Sequence, residues 1–146
     1  MTAYRALLAT ASPAVLIVSG LDPSGGGGFL ADARVVHMLG GRPVGAITTM
    51  TVQDTKGMRS AHEIDIDVLG AQLNALLSDI EVKAVKIGML GHRDIVDVLD
   101  EALELTSAPV VWDPVAAPTS GQVTFGRDVL EEGLRKLAPH VALVTP

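Results

Sequence analysis

A strand-forming run passes straight into a glycine-rich loop and then into a helix-forming run, and that succession constrains the fold more than any other part of the chain. Residues 14–20, AVLIVSG, are apolar, rich in β-branched side chains and closed by glycine, the composition of a strand buried in a parallel sheet. LDPSGGGG follows at 21–28. FLADARVVHML at 29–39 then repeats its apolar residues Leu30, Val35, Val36 and Leu39 at mostly helical spacing, and Gly40 and Gly41 end it. A plain turn needs one or two glycines. Four in a row leave backbone that a ligand can touch, because glycine has no Cβ and adopts positive φ freely. Amides at a helix start favour negative charge, yet neither standard phosphate loop fits. GxxxxGK[ST] requires a lysine that is absent, and GxGxxG puts Leu30 at its last glycine when Gly25 is the first.

The remaining chain continues the alternation. PVGAITTMTVQDT (43–55) reads as a strand with a bend at Gly45, and GMRSAHEI (57–64) as a shorter strand after a turn at Lys56 and Gly57. DIDVLGAQLNALLSDI (65–80) is an amphipathic helix with Asp65 or Asp67 as N-cap. VKAVKIGML (82–90) is a strand running out into a loop, HRDIVDVLDEALEL (92–105) a helix, PVVWDPV (109–115) a strand and AAPTSGQVT (116–124) a loop. GRDVLEEGLRKLAP (126–139) is a helix and HVALVTP (140–146) a last strand. Strands and helices in this order predict one α/β domain over 1–146, with helices packed on a mostly parallel sheet. Ligands of such sheets sit beyond the carboxyl ends of the strands. GLDPSGGGG, KIGML and DPVAAPTSG all fall there.

At 146 residues, 48% of them hydrophobic, the chain is long enough for a substantial core. A net charge of −6 argues against nucleic acid or an anionic membrane as the partner. Cysteine is absent, which excludes a disulfide framework and a cysteine-based zinc site. His37, His62, His92 and His140 have no metal-ligand spacing, so no metal ligands are assigned. The N-terminus carries one arginine and a weak apolar stretch broken by Pro13, unlike a secretory leader. No run approaches a membrane span, and a cytoplasmic location is expected.

Several side chains could carry chemistry. Asp22 either organises the turn with Pro23 or faces a ligand. Asp32, placed in the first helical turn, either accepts hydrogen bonds from a ligand amino group or pairs with the helix dipole. Gln53 can donate and accept at once, which suits the edge of a heterocycle, or it is a solvated strand end. Met89 either walls a flat ring or packs in the core. Asp113, at the end of VVWD, has the placement of a metal- or phosphate-organising carboxylate.

Taken together, GLDPSGGGGFLAD, TMTVQDT, KIGML and DPVAAPTSG resemble the hydroxymethylpyrimidine and phosphomethylpyrimidine kinases of thiamin biosynthesis, a branch of the ribokinase-like fold. The family pattern reads roughly G-[ST]-D-P-S-G-G-A-G-I-Q-A-D, A-x-x-x-Q-N-T, K-I-G-M-L and D-P-V-M-V-A-[KT]-S-G. Four motifs in order, over nearly the whole chain, carry the resemblance. This chain departs at Leu21, Gly27, Leu30, Asp54, Ala116 and Pro118.

The resemblance implies a three-layer α/β/α fold with a small β flap around Gln53. It implies ATP-dependent phosphorylation of 4-amino-5-hydroxymethyl-2-methylpyrimidine and its monophosphate. Asp32 and Gln53 would hydrogen-bond the ring edge, Met89 and Val115 would contact its faces, Gly20 and the glycine loop would lie beside it, and Asp113 would face the nucleotide. ATP and magnesium are the implied cofactors. The family's later motifs, an acidic magnesium site and the G-T-G anion hole with the catalytic base, have no counterpart in these residues, so no catalytic residue is assigned. The C-terminal part of the fold is expected to be missing from a truncated or split form, and the strand at HVALVTP to recruit a second copy or a complementing C-terminal half. A catalytically inactive half-domain that binds a pyrimidine or a partner, and a pyridoxal kinase-like enzyme, are the alternatives. Gln53-Asp54-Thr55 with KIGML favours the pyrimidine branch.

Overall fold

The computed structural model describes residues 12–115 and 126–145. The N-terminal leader comparison, the loop substitutions Ala116 and Pro118, and Pro146 lie outside the described residues. Six strands form one sheet in the order β3-β2-β1-β4-β5-β6: β1 (Ala14–Leu21), β2 (Arg42–Asp54), β3 (Gly57–Glu63), β4 (Val82–Ile87), β5 (Val110–Trp112) and β6 (Val141–Val144). All neighbours are parallel except β2 and β3. The flap is therefore a continuation of β2. Its first part pairs with β1, and Thr49–Asp54 turn back on β3. No bend occurs at Gly45. β2 runs unbroken there, and the glycine is needed because a Cβ would collide with the Ile17 carbonyl of β1.

Among the described residues four helices cover the sheet: α1 (Gly28–Met38), α2 (Ile66–Asp79), α3 (Asp94–Leu103) and α4 (Arg127–Lys136). The side chain of Asp65 caps α2 by accepting from the Val68 amide at 3.1 Å, so of the two candidate caps Asp65 serves and Asp67 occupies the first turn. The expected last helix ends earlier than its sequence pattern. Pro139 cannot continue the α-helical ladder, and Ala138–His140 form a short 3₁₀ turn that leads into β6.

Strand alternation sorts the two faces of the sheet. Leu16, Val18, Val85, Ile87, Val110 and Trp112 join Leu69, Leu73, Ile95 and Leu99 of α2 and α3 in the main core. Ile17, Ser19 and Lys86 alternate with these and face α1 on the other side, where Lys86 meets Asp32 of α1. Helices thus lie on both faces, in three layers.

Candidate ligand site beyond the strand ends

The carboxyl ends of β1, β2, β4 and β5 enclose a cavity of about 490 Å³. It draws together six residues singled out from the sequence: Gly20, Asp22, Gln53, Met89, Asp113 and Val115. The seventh, Asp32, is not on the cavity wall.

The glycine loop is built around Asp22. This carboxylate is 5% exposed. Its Oδ1 accepts from the Ser24 amide at 2.8 Å and from the Ser24 hydroxyl at 2.7 Å, and its Oδ2 accepts from the Gly27 amide at 2.9 Å. The Gly25 amide donates to the Asp22 carbonyl, and the Gly26 amide reaches the Ser24 hydroxyl at 3.4 Å. Asp22 is thus the turn organiser. The amides of residues 24–27 are thus spent inside the loop, beside the Asp22 carboxylate. Gly28 closes the loop at φ +58°, with its Cβ position filled by the Gly20 carbonyl, so no other residue fits there. The loop therefore presents bare glycine backbone to the cavity.

Met89 is positioned from two sides. Gly20 leaves the space that its terminal methyl occupies, since a Cβ on Gly20 would strike it. Behind it, the Thr48 hydroxyl donates to the Met89 carbonyl, and the Thr49 hydroxyl donates to the Leu90 carbonyl at 3.2 Å. Met89 is both buried and part of the cavity wall, so the two readings of this residue coincide. Thr51 donates to the Leu21 carbonyl at 2.7 Å and lies 3.4 Å from Gln53 Oε1. This fixes the end of β2 to the end of β1. Asp54, which stands where the family pattern has asparagine, pairs with Arg59 and accepts from the Lys56 amide at 2.9 Å. It thereby closes the β2–β3 turn.

Asp32 differs from its expected placement. α1 begins at Gly28, so Asp32 lies in the second turn, beyond the reach of the helix dipole. Its Oδ2 accepts from Lys86 Nζ at 2.7 Å, and it is Lys86 that lines the cavity. Sequence reasoning passed over Lys86 and the threonines of β2. The available signal for Lys86 was a lysine set between the buried Val85 and Ile87 of β4. Among the described residues no group of three His, Asp or Glu side chains converges as a metal site. Asp113, on the cavity wall, does not by itself make a complete magnesium site.

The model of the family described as phosphomethylpyrimidine kinase matches residues 22–146. The chain belongs to the phosphomethylpyrimidine kinase family. It is 35% identical over 134 residues to the hydroxymethylpyrimidine/phosphomethylpyrimidine kinase of Streptomyces coelicolor, covering 92% of this chain and 50% of that protein. The crystal structure of phosphomethylpyrimidine kinase from Clostridium difficile 630 superposes with a TM-score of 0.82 at 31% identity, over 92% of this chain and 58% of that one. The pyridoxal kinase from Staphylococcus aureus in complex with AMP-PCP gives 0.81 at 29% identity, over 94% and 50%. The family fold is thus the ribokinase-like one expected, and the chain spans about half the length of these relatives.

Proposed function

We propose that this chain is the acceptor-binding part of a kinase that uses ATP and magnesium to phosphorylate 4-amino-5-hydroxymethyl-2-methylpyrimidine and its monophosphate in thiamin biosynthesis, in the cytoplasm. The observation that carries this reading is the cavity itself. Gln53 supplies a carboxamide for the polar edge of the ring. Met89 and Val115 supply apolar walls, and the glycine backbone allows a flat ligand to approach closely. Asp113 lies on the side proposed for the nucleotide. Phosphoryl transfer is chiefly positioning and charge stabilisation. The described residues supply the positioning of the acceptor. The groups that stabilise the transferred charge are proposed to come from a complementing C-terminal half. No helix among the described residues is long and apolar enough to cross a membrane.

Titration calorimetry with the aminopyrimidine, ATP with magnesium, and pyridoxal tests this reading. Pyridoxal is the control because the fold is shared with pyridoxal kinases. The expected order is aminopyrimidine first, with ATP and pyridoxal weaker. Tighter binding of either ATP or pyridoxal would overturn it.

A further inference from the structure

Lys86 sits where a lysine is expensive. It is in β4, between β1 and β5, with Ile17 and Val111 as its cross-strand neighbours. Val85 and Ile87 on either side are buried in the core. A cation on a central strand must be held by a partner and hydrogen-bonded to offset its desolvation. Asp32 supplies one such bond at 2.7 Å, with the two side chains 26% and 25% exposed. A pair of this kind adds little stability over apolar residues of similar size, so stability does not account for it. Room has also been kept for the ammonium. A Cβ on Gly88 would stand 2.8 Å from Lys86 Nζ and would collide with the Ser19 hydroxyl.

The ammonium has three N–H donors. Asp32 is the hydrogen-bond partner found for it among the described residues. The cavity wall carries three carboxylates: Asp22, Asp54 and Asp113. Asp22 is committed to the glycine loop and Asp54 to Arg59. Lys86 is the one lysine or arginine on that wall among the described residues. The amides of residues 24–27, which could otherwise receive an anion, are spent on Asp22 and Ser24.

We infer that Lys86, held in place by Asp32, is the group that receives the phosphate of a phosphorylated pyrimidine in this cavity, and so sets the preference for the monophosphate over the free alcohol. The inference rests on the proposed pyrimidine site and names a determinant within it. A phosphate monoester oxygen accepts from the N–H groups that Asp32 leaves free, forming charge-assisted hydrogen bonds. The neutral alcohol gains no comparable term. Asp32 is the positioning residue of the pair, since it touches Lys86 rather than the cavity.

Calorimetry with the alcohol and with its monophosphate, on the wild-type chain and on Lys86→Met and Lys86→Arg, tests the inference. Met fills a similar volume without charge, and circular dichroism together with retained alcohol binding shows that the variant is folded. Wild type is expected to favour the monophosphate. Lys86→Met is expected to lose about tenfold or more in monophosphate affinity while alcohol binding changes little. Lys86→Arg is expected to keep most of the preference, and raised salt to reduce it. Equal losses for both ligands would place Lys86 against the ring and overturn the inference, as would unchanged monophosphate binding in Lys86→Met. A wild-type chain that binds neither form would instead overturn the pyrimidine site itself, and this inference with it.

Discussion

The two faces of the sheet are made by alternate residues of the same strands, yet they differ in kind. On one face Leu16, Val18, Val85 and Ile87 meet Leu69, Leu73, Ile95 and Leu99 in a core that excludes water almost completely. On the other, Ser19 and Lys86 stand among apolar neighbours, and α1 buries none of its residues. Leu30, Val35 and Met38 are exposed along α1, and Leu39 just beyond it to 83%. Close packing of the first kind holds a fold together. The second face holds a charged pair, a hydroxyl and a glycine that makes room for them, and it feeds directly into the cavity at the strand ends. The comparison separates the duties of the molecule: stability is concentrated on the α2–α3 face, recognition at the end of the α1 face.

Truncation on the two faces is the strongest way to break that division. Leu99→Ala removes a side chain that is 1% exposed and is expected to destabilise the chain by about 2–5 kcal/mol in urea unfolding. Met38→Ala on α1, where the side chain is 77% exposed, should change stability by no more than about 0.5 kcal/mol. Similar losses from both would show that the faces carry equal weight.

The glycine loop gives an effect of intermediate size. Asp22→Ala strips the acceptors from the Ser24 and Gly27 amides and is expected to cost about 1–3 kcal/mol. Because the loop is local, hydrogen exchange at the amides of residues 24–27 should accelerate more than exchange in β4. Uniform acceleration throughout the sheet would mean that Asp22 supports the whole fold and not the loop alone.

The smallest effect belongs to the charged surface of α4. The Arg135 guanidinium, which donates to Glu132, holds the Glu132 carboxyl below its ordinary range. Lys136 is held above its own range, first by its hydrogen bond to Asp97. The Glu132 contribution is therefore present above the ordinary glutamate range and fades as acid protonates it in the folded state. The Lys136 contribution is present below the ordinary lysine range and fades only as strong alkali removes its proton. Acid titration of wild type against Glu132→Gln should show a stability gap near neutrality that narrows as pH falls and in high salt. A gap that widens in acid would contradict the assignment.

How much of this was legible in the sequence depended on the range of the interaction. The strands and the helices of the described residues follow from periodicity and turn residues, local signals that also narrowed the α2 cap to Asp65 or Asp67. The placing of Gly20, Gln53, Met89, Asp113 and Val115 in one site followed from the family resemblance carried by motifs in order. The partner of Asp32 did not follow, because Lys86 lies 54 positions away and only the packing of α1 on the sheet brings the two together. The threonines of β2 were equally hidden. Threonine at alternate strand positions is ordinary β composition, and its use as a donor to Met89 and Leu21 becomes visible only once the strand order is known. Gly45 misled for a related reason: a glycine inside a strand signals either a bend or a close approach, and here the neighbouring Ile17 carbonyl decides for the latter.

Where an aminopyrimidine binds is the decisive property of this cavity. Backbone amide shifts recorded by NMR during titration of the chain with 4-amino-5-hydroxymethyl-2-methylpyrimidine would locate it. The predicted result is a set of saturating changes at Gly20, Gln53, Lys86, Met89 and Val115, with α2 and α3 unmoved. Saturating changes centred instead on the opposite end of the sheet, around Asp79–Lys83 and Leu105–Ala108, or no changes at millimolar ligand, would contradict it.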